Sequence, residues 1–475
     1  MVFSSIIFLL FFFPLFFTAY RIAPLAVKNW LLLLASMLFY AWGAPKFIFV
    51  LLPLTAVDFL IVRKMYGMDP GRRKKAWLTF SILINLGLLA YFKYANFFIE
   101  NVNAVLLQMD IRQIEWVNVL LPIGISFFCF ETLTYSIDAY RGVIRPLKNL
   151  WDYYLYIFLF PKLIAGPIVR FNLIEDQISA IGRKTTQDDV LLGFWRFTIG
   201  LSKKVLIANV MAEKADLYLG GSLDQLTTGT AWVGALAYTF QIYFDFSGYS
   251  DMALGMGRMM GFRLPENFDN PYTSKSISEF WRRWHMTLGA WMKEYLYIPL
   301  GGNKVHAKWR LYFNLWIVFL ISGLWHGASW NFVIWGAYHG VFLILDRLFL
   351  VRWLEKAGSL VATIFTFLVV VFGWMFFRLE HFSEAVFVIR KMLSFDAGQL
   401  PWFELREFLV VGFFAVLFAF FTAFRKGKRW QDLVYYTVYS PGKTALVTAT
   451  AMLLFVISVA RVTSSGFNPF IYFRF

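Results

Sequence analysis

The sequence predicts an all-α integral membrane protein. Of its 475 residues, 59% are hydrophobic and 20% aromatic while only 16% are charged, and the mean hydropathy is +0.60, far from the balance of a soluble domain. The lysines and arginines fall in short clusters between apolar runs about one bilayer in length, as they do where loops face the cytoplasm. The net charge of +16 therefore reads as membrane topology and lipid-headgroup contact, and no nucleic-acid partner is expected. One cysteine, Cys129, excludes intrachain disulfides and thiolate metal sites. No internal repeat or low-complexity linker divides the chain, so residues 1–475 are read as a single polytopic domain.

Taken in order, residues 2–20 carry no charge and lack a basic leader or small-residue cleavage site, which predicts a retained span. Runs 29–45 and 47–62 follow, and then the densest basic loop, Arg72-Arg-Lys-Lys75, which should be cytoplasmic. Three spans before that loop put the N-terminus outside, and the mixed-charge segment 93–115 falls outside too. The run 116–135 returns the chain to a loop holding Arg141, Arg145 and Lys148. From 151 to 219, Pro161, Gly166-Pro167 and Gly200 interrupt the apolar runs, so short, broken or interfacial helices are expected there. Runs 231–246, 311–330, 332–345, 360–377, 408–424 and 445–460 bring the count to about eleven spans.

Three polar islands interrupt this pattern. In Gln241-Ile-Tyr-Phe-Asp-Phe-Ser-Gly-Tyr-Ser-Asp251, helical spacing puts Gln241 and Asp245 on one face, and Gly248 predicts a helix break that leaves Asp251 beyond it. These carboxylates either line a wet cavity or fix helix contacts through hydrogen bonds. The second island begins at Ser276, whose spacing to Glu279 is that of a capping box. Ile277, Phe280, Trp281, Trp284, Leu288, Trp291, Met292 and Tyr295 then recur along one face, with Arg282 and Arg283 off it. That is the pattern of a helix in the membrane interface, its arginines facing lipid headgroups or an anionic donor such as coenzyme A. His285 adjoins the apolar face, where an imidazole can serve packing as readily as chemistry.

The third island is Ile321-Ser-Gly-Leu-Trp-His-Gly-Ala-Ser-Trp330. Arg310 is the last charge before it, so a helix carries His326 roughly 22 Å inward at about 1.5 Å per residue, through a core of about 30 Å. An imidazole at that depth marks a functional site with a polar route to it, unless it only bridges two helices. Two cavities, one open to each side, should meet there, with Gly323 and Gly327 keeping the neck narrow. His339 has a weaker claim, and His306 and His381 sit among loop charges. No zinc spacing, phosphate loop, dinucleotide fingerprint or nucleophile elbow is present in the sequence.

The ordered motifs Leu121-Pro-Ile-Gly-Ile-Ser126, Leu163-Ile-Ala-Gly-Pro167, Tyr243-Phe-Asp-Phe-Ser-Gly-Tyr-Ser-Asp251, Glu279-Phe-Trp-Arg-Arg-Trp-His285, Tyr297-Ile-Pro-Leu-Gly-Gly-Asn303, Leu324-Trp-His-Gly327 and the tail Phe470-Ile-Tyr-Phe-Arg-Phe475 resemble the membrane-bound O-acyltransferases. The likeness is greatest to the bacterial branch that acetylates exported polysaccharides such as alginate. The resemblance implies a ring of tilted helices with re-entrant and interfacial helices around a thinned centre. It implies His326 as the essential histidine and His285 as its support, with Gln241, Tyr243, Asp245, Asp251, Trp281, Arg282, Arg283, Trp284 and Trp325 lining the donor route. It further implies acetyl-coenzyme A as donor substrate with no bound cofactor, an extracytoplasmic acetyltransferase partner, an exported polysaccharide acceptor, and the cytoplasmic membrane of a bacterium. Acylation of cellulose, peptidoglycan or teichoic acid is the alternative within the family. Outside it stand a proton-coupled transporter using Asp245, Asp251 and His326, and a purely structural subunit of a secretion complex.

Overall fold

A computed structural model describes residues 1–396, 398, 405–437, 440–465 and 470–471; the tail motif at 472–475 lies outside the described residues. Every regular element among the described residues is a helix. Six of these helices are long and apolar enough to cross a bilayer: Leu25–Gly43, Arg72–Gln108, Trp330–Ala357, Ser359–Arg378, Arg406–Ala423 and Gly442–Ser464, with the shorter apolar Phe8–Ile22 before them. The protein is therefore a multi-pass, all-α membrane protein.

The remaining expected spans depart from simple crossing helices for reasons their residues explain. Run 47–62 becomes Ile48–Tyr66, which buries Asp58 and carries Arg63 and Lys64 in its last turn. Run 116–135 is not one helix: residues 111–122 carry no regular element, and Ile125–Arg141 begins only after Gly124. Pro122 lacks the N–H a helix needs, and Gly124 turns at φ +78, where a Cβ would stand 2.8 Å from the Leu163 carbonyl oxygen. The Asn96 and Asn103 side chains take up the backbone of this loop instead, each bonding both an N–H and a C=O, at Val119 and Ile114 respectively. Side-chain amides thus satisfy groups that a helix would have paired internally.

Contacts gather into two units, residues 1–189 with 256–265, and residues 190–255 with 266–475. The first is knotted at Asp58, in the middle of its helix. Ser81 and Asn85 from Arg72–Leu89, Ser136 from Ile125–Arg141 and Tyr153 from Leu150–Phe158 all donate to its carboxylate, the shortest bonds being 2.6 Å from Ser81 and 2.7 Å from Tyr153. A mid-span carboxylate is costly in hydrocarbon, so four helices meeting on one such group are held in a fixed register. Glu131 and Lys162 add a fully buried ion pair in the same unit. The expected broken region does hold short helices, Leu150–Phe158, Phe160–Leu163 and Glu175–Ile178.

In the second unit two glycines act differently from their sequence reading. Thr228–Met259 is a single 32-residue helix that runs straight through Gly248, and Gln187–Ser202 runs through Gly200. A Cβ on Gly248 would stand 2.6 Å from the Gly200 carbonyl oxygen, and one on Gly255 would stand 2.5 Å from that of Gly193. The glycines are places where two backbones touch, not where a helix stops. Asp251 consequently lies on the same helix, six residues after Asp245. After the π-helical turn Lys203–Ala208 the rod continues as Asn209–Leu219.

Candidate active site

The interfacial segment starts as expected, with the Ser276 hydroxyl accepting from the Glu279 backbone N–H at 3.0 Å. It does not continue as one helix. Ile277–Arg283 ends at Trp284, His285 takes the left-handed conformation at φ +45, and Met286–Met292 starts afresh. The kink is built by the chain at 267–269, where Asp269 N–H donates to the Arg283 carbonyl and Met286 N–H to the Asn267 carbonyl, both at 2.9 Å. Its effect is to turn both His285 and Trp284 into the protein, where they are almost wholly buried.

His326 reaches the same place from the opposite direction. The span expected over 311–330 is the helix Lys308–His326, and His326 is its last residue, followed by an extended Gly327 and a new helix from Trp330. Gly323 fits against the Phe332 carbonyl and Gly336, and Gly327 against the Phe332 ring. These glycines therefore close a tight helical hairpin, which corrects their reading as the neck of a channel.

The two histidines face each other with ring centroids 6.5 Å apart. Around them stands an aromatic wall: Trp325, Trp335 and Phe377 lie 4.9, 5.2 and 5.3 Å from His326, and Phe246 meets His285 edge-on at 4.7 Å. His326 is only 5% exposed. The tautomer of His285 follows from its partner. Asn267 Oδ1 already accepts from Thr287 N–H and Oγ–H, so the His285 Nδ1 that lies 3.0 Å from the same oxygen carries the proton. The lone pair is then on Nε2, which is buried and has no hydrogen-bond partner among the described residues. One imidazole is thus fixed with a free acceptor nitrogen beside a second.

The other candidates divide. Trp281 and Trp284 belong to this aromatic wall, with Trp284 4.9 Å from Trp374. Tyr243 stacks on its outer edge, 6.1 Å from Trp284 and 5.1 Å from Tyr272. Gln241 is buried with its Oε1 unpartnered among the described residues. Asp245 and Asp251 turn elsewhere. Lys204 pairs with Asp245 at 2.9 Å and the Ile471 N–H bonds its other oxygen, while Arg196 and Lys203 both hold Asp251 at 2.6 Å. Carboxylates engaged with cations in this way tie helices together. Arg283 is tied to Glu279 at 2.7 Å and to Thr273, leaving Arg282 as the exposed cation.

Sequence reasoning missed Asn267, which nothing in its local motif distinguishes. Among the described residues no group of three or more His, Cys, Asp and Glu side chains could hold a metal ion.

Residues 74–379 match the profile of the membrane-bound O-acyltransferase family. Over its whole length the chain is 40% identical to a probable alginate O-acetylase of Pseudomonas putida, each chain being covered completely. It is equally similar, at 40% and with the same complete coverage, to one of Azotobacter vinelandii. A peptidoglycan O-acetyltransferase of Helicobacter pylori is 36% identical over 80% of this chain and 76% of its own. With the paired motif histidines, the helical membrane architecture and these matches in hand, the chain is an O-acyltransferase belonging to the membrane-bound O-acyltransferase family.

Proposed function

We propose that the protein carries acetyl groups from acetyl-coenzyme A on the cytoplasmic side to an exported polysaccharide of the alginate type, with His326 as the reacting imidazole and His285 as its support. The observation that carries the reading is the meeting of these two histidines, one at a kink between short helices and one at a helix end, inside one aromatic wall. The full-length likeness to probable alginate O-acetylases favours a uronate polysaccharide as the final acceptor, and the more distant likeness to a peptidoglycan O-acetyltransferase makes cell-wall glycan the second choice. An extracytoplasmic acetyltransferase would receive the group and pass it on. The protein would sit in the inner membrane of a bacterium with its N-terminus outside, by the charge of the 72–75 loop.

The chemistry balances by either of two routes. In the first, His326 takes the acceptor hydroxyl's proton as its oxygen attacks the thioester carbonyl; the C–S bond breaks and the coenzyme thiolate recovers that proton. In the second, the imidazole displaces the thiolate to form an acyl-imidazole, which the hydroxyl then opens. In both, the free Nε2 of His285 offers a place for a proton to wait. Exposed Arg282 would meet the coenzyme's phosphates. Because His326 is almost fully enclosed, donor and acceptor must pass between the surrounding rings.

The test is His326→Ala, with acetyl ester measured on the exported polymer. Ester should fall to background while polymer export and protein level stay at wild-type values. Undiminished ester would remove His326 from the chemistry, and loss of polymer itself would favour a structural role in secretion.

A further inference from the structure

One cluster beside this site remains unexplained by the roles above. Trp281 on one helix, and Trp335 and His339 one turn apart on another, bring their rings together so that each touches the other two edge-on. The centroids lie 5.4 Å apart for Trp281–Trp335, 5.0 Å for Trp281–His339 and 5.1 Å for Trp335–His339. His339 is fully buried and Trp335 nearly so. Yet the Trp281 Nε1, the Trp335 Nε1 and both ring nitrogens of His339 are buried with no hydrogen-bond partner among the described residues. Leaving one such group unsatisfied costs about 1–3 kcal/mol, and here several are gathered among rings that offer only their π faces.

The chemistry of the cluster is weighted toward donors. Each indole N–H can only donate, and a neutral imidazole adds one donor and one acceptor, so three of the four unpartnered nitrogens are donors. What would satisfy those three is a small group rich in lone pairs. Position narrows the choice: Trp335 is shared, 5.2 Å from His326 on one side and 5.1 Å from His339 on the other. Trp281 is the chain neighbour of the exposed Arg282. The cluster thus adjoins the histidine proposed to meet the acyl group through Trp335, and follows in sequence directly into the cation proposed to meet the coenzyme through Trp281. Gly373 makes the place for His339, since a Cβ there would come within 2.8 Å of Nε2.

We propose that Trp281, Trp335 and His339 form a subsite for the acyl carbonyl oxygen of the donor, so that the donor is recognised by its carbonyl as well as by its phosphates. This rests on the reading of the protein as an acetyl-coenzyme A-dependent transferase. Donors already fixed around that oxygen would also stabilise the negative charge it gains when the carbonyl is attacked. The other source of a lone pair is a buried water, and the remaining possibility is weak N–H···π contact within the cluster.

The test compares binding of acetyl-coenzyme A with that of S-ethyl-coenzyme A, in which a methylene replaces the carbonyl, to the full-length protein in detergent. The variants are His339→Leu and Trp335→Phe, the second retaining an aromatic ring should the first disturb folding. Wild type should prefer the acetyl compound by about tenfold, the worth of one good hydrogen bond. Each variant should lose that preference while binding the ethyl compound as wild type does. Equal preference in wild type and both variants would overturn the subsite and leave water or ring contacts in its place. If wild type bound neither compound, the coenzyme reading itself would fall, and this inference with it.

Discussion

His285 occupies a backbone conformation that L side chains seldom adopt, at φ +45, and it is held there by neighbours that also fix its proton. Asn267 is the centre of that arrangement: its amide oxygen receives Thr287 and His285 while its NH2 donates to Ser250 at 3.2 Å. Asn267→Ala removes the shared acceptor and leaves buried donors unsatisfied, at a cost of about 1–3 kcal/mol. We expect a lower melting temperature in detergent and a fall in kcat larger than any change in donor KM. Unchanged kcat would show that the orientation of His285 does not matter to turnover. The adjacent arginines should separate in the same way. Arg282→Ala should raise the apparent KM for the donor roughly ten- to a hundredfold, as loss of a charge-assisted phosphate contact does. Arg283→Ala should leave donor KM alone and loosen the kink, because its guanidinium is already committed to Glu279 and Thr273. Equal donor KM in wild type and the Arg282 variant would assign that cation to lipid headgroups.

At the scale of elements, the glycines decide how closely helices approach. A methyl group on Gly248 would press on the Gly200 carbonyl oxygen and the Lys203 Cβ at 2.6 and 3.1 Å, and backbone cannot yield as a side-chain tip can. Gly248→Ala should therefore destabilise by about 1–3 kcal/mol, seen as a lower melting temperature. Gly87→Ala, in a helix interior with nothing within 4 Å of the new methyl, should be neutral or slightly stabilising. Equal behaviour of the two variants would refute close backbone contact between the helices. The same distinction separates Gly323 and Gly327 from a channel. Both meet the hairpin partner of their own helix, so enlarging either one tests packing and not passage.

For the whole molecule, orientation in the membrane rests on the basic loop at 72–75. Gly71 is suited to test it, since its backbone is extended and nothing lies within 4 Å of an added side chain. The native Cys129 is buried and should contribute no background. A Gly71→Cys variant should resist an impermeant thiol reagent in intact cells and react once the membrane is opened. Labelling of intact cells would reverse the topology and put the donor side of the proposed reaction on the wrong face. The ion pairs of Asp245 and Asp251 act at this scale too. With Lys204, Arg196 and Lys203 on them, they bind helices to one another.

The membrane class, most of the helices and the start of the helix at Ser276 were legible in the chain because each depends on local composition or on a short spacing. Hydropathy marks a span wherever it occurs, and Ser276 finds Glu279 three residues on. What the residues could not reveal depends on partners distant in sequence. Gly200 and Gly248 read as helix breaks alone and as a contact only when their two helices lie together. The cations from 196–204 that pair with Asp245 and Asp251 cannot be assigned to them from the chain. The kink at His285 needs the backbone at 267–269, and the unsatisfied nitrogens of His339 matter only because Trp281 and Trp335 surround it. Local propensity and hydropathy act through neighbours along the chain, whereas close packing and charge pairing in a low-dielectric interior act through neighbours in space, and those were decided by the tertiary structure alone.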